Sequence, residues 1–512
     1  MDTPYIVKII SDKNSPVDSC ATYLSTYSKV SYQSLLTKQV ANRASKGWGK
    51  ANYIIVEYDD AITSLPELIS KWRELSYGYR NQFLILELPK GVWNMYDYTG
   101  EKVGDEKFIE NYFSTIKSIN AKSSKYLSAM RTKPFLLLAG ISGTGKSRIV
   151  KQLAFESCPD IEALRNDPTS PGNYELIEVK PNWHDSTEVL GYESEIGSPH
   201  YVLTPFVKFL VKAMLYEDRA PFFVCMDEMN LAPVEQYFAE FLSVLESRKL
   251  IDGKITSEPL IKADIFVKYE DQLYRDLFDK SKGSYQNDDE TTQDPLMPYG
   301  NAPKVFEKLK TEGLRLPSNL IVIGTVNMDE TTHQFSRKVI DRAMTIEMNI
   351  EDAETPFQDF FNGGDALHYY ESPQPQELFL PKVVQAADAL AELKGEDAEY
   401  LKANVPQLLF KLNKALDGTP FKIAYRVQNE LVLYFYALRE EKPEEPAEAL
   451  LESAMDAILM MKVLPRIEGD EDLLEKPLKA LAEFTAAYPQ ASKKVAEMQQ
   501  RLPQAHFTSF WP

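Results

Sequence analysis

Eight consecutive residues, Gly140-Ile141-Ser142-Gly143-Thr144-Gly145-Lys146-Ser147, satisfy the pattern G-x4-G-K-[ST] without a mismatch. The chemistry open to such a run is phosphate binding. Its glycines let backbone N–H groups close around phosphate oxygens, and a helix opening at its end points a positive pole at them. Lys146 has the reach to meet β- and γ-phosphates, and the Ser147 hydroxyl suits Mg²⁺. A second run ends in the acid pair Asp227-Glu228. Asp227 can hold Mg²⁺ through water, and Glu228 can orient and polarise an attacking water. A third ends in Asn327, a neutral amide able to hold that water or the γ-phosphate. Together these residues describe nucleotide triphosphate hydrolysis. The plain alternative for the acids is a solvated pair at a strand end, which the complete phosphate-loop pattern upstream disfavours.

The elements that must position these groups are legible as well. Residues 134–140 (PFLLLAG), 220–228 (APFFVCMDE) and 319–327 (NLIVIGTVN) are apolar runs with polar endings, read as buried strands. The stretch 146–157 has helical spacing. Strands alternating with helices imply an α/β fold with a parallel sheet covered on both faces, and ligands in such sheets sit at the carboxyl ends of the strands. All three polar endings fall on that edge. Ahead of this core, residues 1–125 read as a separate α/β unit. It has strands at 53–60 and 82–89, a helical stretch between them, a helical connector over 101–130, and no catalytic motif. Residues 251–318 read as an exposed insertion, polar and turn-rich at 281–301 and expected to be partly mobile. The core is expected over 126–350, and residues 351–512 read as a mainly helical lid and C-terminal region.

Composition bounds the function classes. The 512 residues are 44% apolar and include three cysteines, Cys20, Cys158 and Cys225, which form no CxxC. That usage fits a reducing compartment and argues against a disulfide scaffold or zinc ribbon. No signal segment and no apolar run of about 18 residues is present, so a cytoplasmic protein with no membrane span is expected. Five histidines make no H-x3-H or HExxH pattern, leaving Mg²⁺ as the expected metal. Neither a G-x-S-x-G elbow nor a convincing nuclease core is found. The net charge is -19; residues 1–130 carry 16 Lys/Arg against 14 Asp/Glu, and the remainder 41 against 62. An acidic body repels DNA on average, so a nucleic-acid contact would need a local basic patch or a partner chain.

At these motifs the sequence resembles the McrB-like branch of AAA+ proteins, the motor subunits of modification-dependent restriction systems, over roughly residues 130–512. The resemblance is carried by 179–192 (VKPNWHDSTEVLGY) with 201–214, by 226–248, by 323–343 (IGTVNMDETTHQFSRKVIDRA), by YRVQNELVLY and KVLPRIEGDEDLLEKPLKAL in the lid, and by the FTSFWP ending. It implies an AAA+ core with an insertion at its second helix and a C-terminal helical lid. Asn327 takes the sensor 1 role. Arg342, with Arg337 as a second candidate, is the arginine that faces the neighbouring subunit's nucleotide, although a surface ion pair is the plain alternative. Arg426 is either a sensor 2-like phosphate contact or a packing salt bridge. The implied nucleotide-binding set is Gly140, Ile141, Ser142, Gly143, Thr144, Gly145, Lys146, Ser147, Arg148 and Arg426, with Mg²⁺ on Ser147 and Asp227. The restriction GTPases carry M-N-x-x-D at sensor 1, whereas this chain reads Val326-Asn327-Met328-Asp329-Glu330. The cofactor is therefore ATP or GTP, with ATP favoured. The resemblance further implies a homo-hexameric ring, a separate McrC-like nuclease subunit, and DNA contact through the assembly in anti-phage defence. The alternative expectation is a MoxR-like chaperone that remodels a protein client.

Overall fold

The computed structural model describes five strands within residues 1–125, and residues 126–278, 301–328, 336–348, 367–370, 373–393 and 395–511. The chain divides into two compact units. One spans 1–125 with 371–375, the other 126–370 with 376–512.

In the first unit, strands Ile6–Ser11, Tyr53–Glu57, Gln82–Leu88, Val92–Tyr96 and Lys102–Asp105 form one antiparallel sheet. Its order in chain numbering is second, first, third, fourth, fifth. The apolar runs at 53–60 and 82–89 supply two of these strands; the helical stretch expected between them lies outside the described residues. The connector expected to be helical over 101–130 needs correction at its start. Lys102–Asp105 is a strand paired with Val92–Tyr96, and Gly104 disfavours a helix there.

The second unit is built on a five-stranded parallel sheet. In sheet order its strands are Met344–Glu347, Phe135–Gly140, Leu320–Asn327, Phe222–Asp227 and Tyr174–Glu178, or fifth, first, fourth, third, second along the chain. Phe135–Gly140 and Leu320–Asn327 are buried along their whole length, as strands covered on both faces must be. One face, through Leu136, Leu138, Phe223, Cys225, Ile321, Ile323, Met344 and Ile346, packs against the helix Lys146–Ser157 and the C-terminal helices. The other, through Phe135, Leu137, Phe222, Val224, Leu320 and Val322, packs against the helices Pro205–Leu215 and Ala239–Glu246. Here Phe238 stacks on Phe241 at 4.3 Å, and Phe135 meets the edge of Phe241 at 5.7 Å. These rings fasten the phosphate-loop strand to the helix that follows the acid pair.

Residues 179–215 form a short helix, Thr187–Leu190, a hairpin of Tyr192–Ser194 with His200–Val202, and the helix Pro205–Leu215. The described parts of the long insertion 251–318 on either side of its polar stretch fold onto the core. Lys249–Ile251 and Lys254–Thr256 form a hairpin whose Asp252-Gly253 turn has positive φ at both residues, the geometry Asp-Gly favours. The helices Ala263–Lys268, Glu270–Phe278 and Ala302–Glu312 bury Phe266, Leu273, Leu277, Phe306 and Leu309. Those apolar positions recur at helical spacing, and burying them outweighs the polar composition between them. The stretch 281–300 lies outside the described residues. The C-terminal region comprises the helices Ala386–Glu392, Gly395–Ala415, Tyr425–Glu441, Ala447–Ile458, Glu471–Thr485 and Pro489–Ala505. An antiparallel pair of short strands, Glu468–Asp470 with Phe507–Ser509, closes it. These helices share a hydrophobic core with the sheet and belong to the same compact unit. Among the described residues no helix is long and apolar enough to cross a membrane.

Cys158 and Cys225 are fully buried, and burial pushes each thiol up to about 12. A Cys20→Ser chain is therefore expected to leave both thiols unreacted with a chromogenic disulfide reagent at pH 8 while native, and to react at both once denatured. Fast reaction of either in the native state would show that the sheet is not closed as described.

Candidate nucleotide-binding site

Gly140 ends the phosphate-loop strand at the carboxyl edge of the sheet, and Lys146 opens the helix Lys146–Ser157. Between them Gly143 and Gly145 take φ of +82° and +79°, in the left-handed region that side chains other than Gly disfavour. Gly145 is the residue before the helix, which has no side-chain cap and no acid in its first turn. Its positive pole thus faces the loop without an acid of its own first turn beside it. The loop's entry is fixed from both sides: Met328 N–H donates to Gly140 O (3.2 Å) and Met348 N–H to Ala139 O (2.7 Å). Lys146 Nζ donates to Gly140 O (3.1 Å) and Ile141 O (2.7 Å), so the ammonium lies within its own loop. Ile141, Ser142 and Arg148 are exposed on the loop and the start of the helix.

The acids come to the same edge. Ser147 Oγ donates to Asp227 Oδ1 at 2.6 Å, joining the helix start to the end of the strand Phe222–Asp227. A hydroxyl and a carboxylate so placed suit Mg²⁺, whose remaining positions take water and phosphate oxygens. Among the described residues no group of three or more His, Cys, Asp and Glu forms a metal cluster. Glu228 has φ +52° and ψ +49°, a left-handed conformation costing a non-Gly residue on the order of 1–3 kcal/mol. Two contacts hold it there. Its N–H donates to Thr325 Oγ1 (2.9 Å), and its Oε1 accepts from Asn327 Nδ2 (3.1 Å). Asn230 Nδ2 in turn donates to Asn327 O (3.1 Å).

Thr325 escaped the sequence reading. Its Oγ1 donates to Asp227 Oδ1 (2.7 Å) while accepting the Glu228 N–H, so one hydroxyl sets both acids. A threonine in an apolar strand reads as a strand former; the signal that could have exposed it is its spacing of two from Asn327, which puts both side chains on one face. Gly324, beside it, is a close-approach glycine: a Cβ there would lie 2.5 Å from Met229 Sδ.

The structure therefore brings Lys146, Ser147, Asp227, Glu228 and Asn327 together, and it places Arg342 and Arg426 elsewhere. Arg342 lies just ahead of the strand Met344–Glu347, in which Met344 pairs with Leu136. Continuing that register two residues back puts Arg342 level with Pro134, six residues below Gly140, or about 20 Å at roughly 3.3 Å per residue. Arg342 is thus on the amino edge of the sheet and cannot serve the phosphate loop of its own chain. Arg337 is exposed, with its guanidinium 4.7 Å from the centre of the Phe421 ring. Arg426 is ion-paired with Glu246 (2.9 Å), which also binds Lys133 (2.7 Å), two residues ahead of the phosphate-loop strand. Of its two expected roles, this structure shows the salt bridge: Arg426 stands on the amino edge, away from the phosphate loop. Burial alone would raise the Glu246 carboxyl, but Lys133, Arg426 and Arg342 outweigh it and hold the group below its ordinary value.

Residues 382–507 match the model of a domain of unknown function, DUF8727. No curated protein matches the chain. Among solved structures it is similar to a proposed ATPase from Cytophaga hutchinsonii, at 14% identity and a TM-score of 0.37, over 69% of this chain and 86% of that one.

Thr325→Val keeps the shape of the strand but removes the donor to Asp227 and the acceptor for Glu228 N–H. It should cost about 1–3 kcal/mol of stability and lower turnover by about 10²-fold at unchanged nucleotide affinity. Denaturant unfolding and steady-state phosphate release check this, and wild-type values in both would remove Thr325 from the site.

Proposed function

We propose that the chain is a Mg²⁺-dependent nucleotide triphosphatase of the AAA+ type, hydrolysing ATP or GTP. The observation that carries this reading is the hydrogen-bonded chain Ser147–Asp227–Thr325–Glu228–Asn327 beside a complete phosphate loop. The loop's N–H groups and Lys146 bind the β- and γ-phosphates, Lys146 exchanging its carbonyl partners for phosphate oxygens. Mg²⁺, held by Ser147 and through water by Asp227, would neutralise charge developing on those oxygens. Glu228 orients a water and accepts its proton, Asn327 holds Glu228 and that water in register, and the new bond to γ-phosphorus replaces the bond to the leaving diphosphate. Arg342, stranded on the amino edge, supplies positive charge to the site of a neighbouring copy. That arrangement favours a ring, proposed as hexameric.

The finer assignment rests on the sequence resemblance: a McrB-like motor subunit of an anti-phage restriction system, acting with a separate McrC-like nuclease subunit and reaching DNA through the assembly. The acidic body favours DNA contact supplied by the partner.

Steady-state phosphate release with ATP and with GTP tests the activity. Turnover is expected to be abolished by chelating Mg²⁺, to fall on the order of 10²–10⁴-fold in Glu228→Gln, and to be lost with nucleotide binding in Lys146→Ala. Turnover that survives Glu228→Gln would overturn the catalytic assignment. Copurification of a nuclease chain from the native source would support the restriction reading, and its replacement by a remodelled protein client would overturn it.

A further inference from the structure

The turn that carries Arg342 is gripped from inside the protein by a buried cation. Lys462 Nζ donates to Asp341 O (2.7 Å), Ala343 O (2.8 Å) and Ile340 O (3.3 Å), three carbonyls that bracket Arg342. The same ammonium is ion-paired with Glu430 at 3.0 Å, and both side chains are 1–2% exposed. Burying an ammonium costs several kcal/mol unless every donor finds a partner, and here the partners are the turn itself. Lys462 sits in a π-helical turn, Leu459–Val463, followed by Pro465, which has no N–H to continue a regular ladder. Such turns are rare and recur where a side chain must be re-aimed for function. Four residues on, Arg466 Nε reaches Asp341 Oδ1 at 3.2 Å, a second hold on the same turn. Beyond Glu430 the chain of charges continues to Lys133 (3.0 Å) and through Glu246 to Arg426, so the turn is tied to the foot of the phosphate-loop strand.

We infer that Lys462 is a positioning residue for Arg342, and that through Glu430 and Lys133 it fixes where each copy offers that arginine relative to its own sheet. This rests on the reading that Arg342 completes a neighbour's site. A buried lysine kept for packing alone would not need three carbonyls around one residue. A methionine of similar length would fill the space and leave those carbonyls unpaired. Lys462 does not touch nucleotide, so its loss acts on the chemical step in the adjacent copy and not on binding in its own.

Mixing purified full-length variants tests the inference. Lys462→Met is expected to lower kcat by about 10²-fold at unchanged KM, and Glu228→Gln to keep only the residual turnover given above. Mixed, the two should recover turnover, because Glu228→Gln copies lend a well-placed Arg342 to the intact Glu228 of Lys462→Met copies. Arg342→Ala mixed with Glu228→Gln is the control. Should Lys462→Met fail to fold because Glu430 is left unpaired, Lys462→Met/Glu430→Gln takes its place and the same recovery is expected. If the control recovers and the Lys462 mixture does not, or if Lys462→Met turns over like the wild type, the inference is overturned while the role of Arg342 stands. If the control itself does not recover, the reading of Arg342 falls and the inference falls with it.

Discussion

One carboxylate oxygen organises this molecule. Asp227 Oδ1 accepts hydroxyl hydrogens from Ser147, at the start of the phosphate-loop helix, and from Thr325, on the neighbouring strand. Both contacts depend on sheet register. Met226 pairs with Gly324, so Asp227 lies beside Thr325, and a slip of one residue would turn the threonine to the other face. The register is in turn held by packing. Gly324 has no side chain because Met229, one residue past the acid pair, fills that space. The strands are buried along their length, with a different set of side chains filling each face. The chemistry at the edge and the packing beneath it are one constraint seen from two ends.

That constraint also explains the conformation of Glu228. A left-handed glutamate persists only where its surroundings over-determine it. Here Thr325 takes its N–H and Asn327 its carboxylate. The strain stored in one residue is balanced by two hydrogen bonds from a rigid strand, which keeps the Glu228 carboxylate on a fixed bearing without a flexible side-chain search.

The parts legible in the sequence were those where local pattern and chemistry coincide. Gly143 and Gly145 announce their backbone by being glycine, and Asp227, Glu228 and Asn327 announce theirs by ending apolar runs. Thr325 was hidden because strand propensity gave it a sufficient reason to be there. Arg426 was legible as a charge near the start of a helix, but sequence spacing does not say to which sheet edge that helix delivers it; the partner, Glu246, lies 180 residues away. The same limit applies to the C-terminal helices. Their amphipathic spacing is clear, yet only the fold shows that their apolar faces cover the sheet itself. In 251–318 polar composition masked apolar positions that three helices bury. Lys462 had no signal at all, since a lysine in an apolar helix becomes informative only once the carbonyls around it are known.

The placement of Arg342 has a geometric consequence for any assembly this chain forms. A contact that brings Arg342 to a second copy's phosphate loop joins two different surfaces, the amino edge of one sheet and the carboxyl edge of the next. Such a contact is heterologous, and a two-fold dimer, which pairs like with like, cannot be built from it. A row of copies joined this way always has one terminal loop with no arginine opposite it, and only closure into a ring removes the deficient end. In a ring built on that contact, completing the last site and closing the ring would be the same event, and the polarity of a single five-stranded sheet would set the symmetry of the particle.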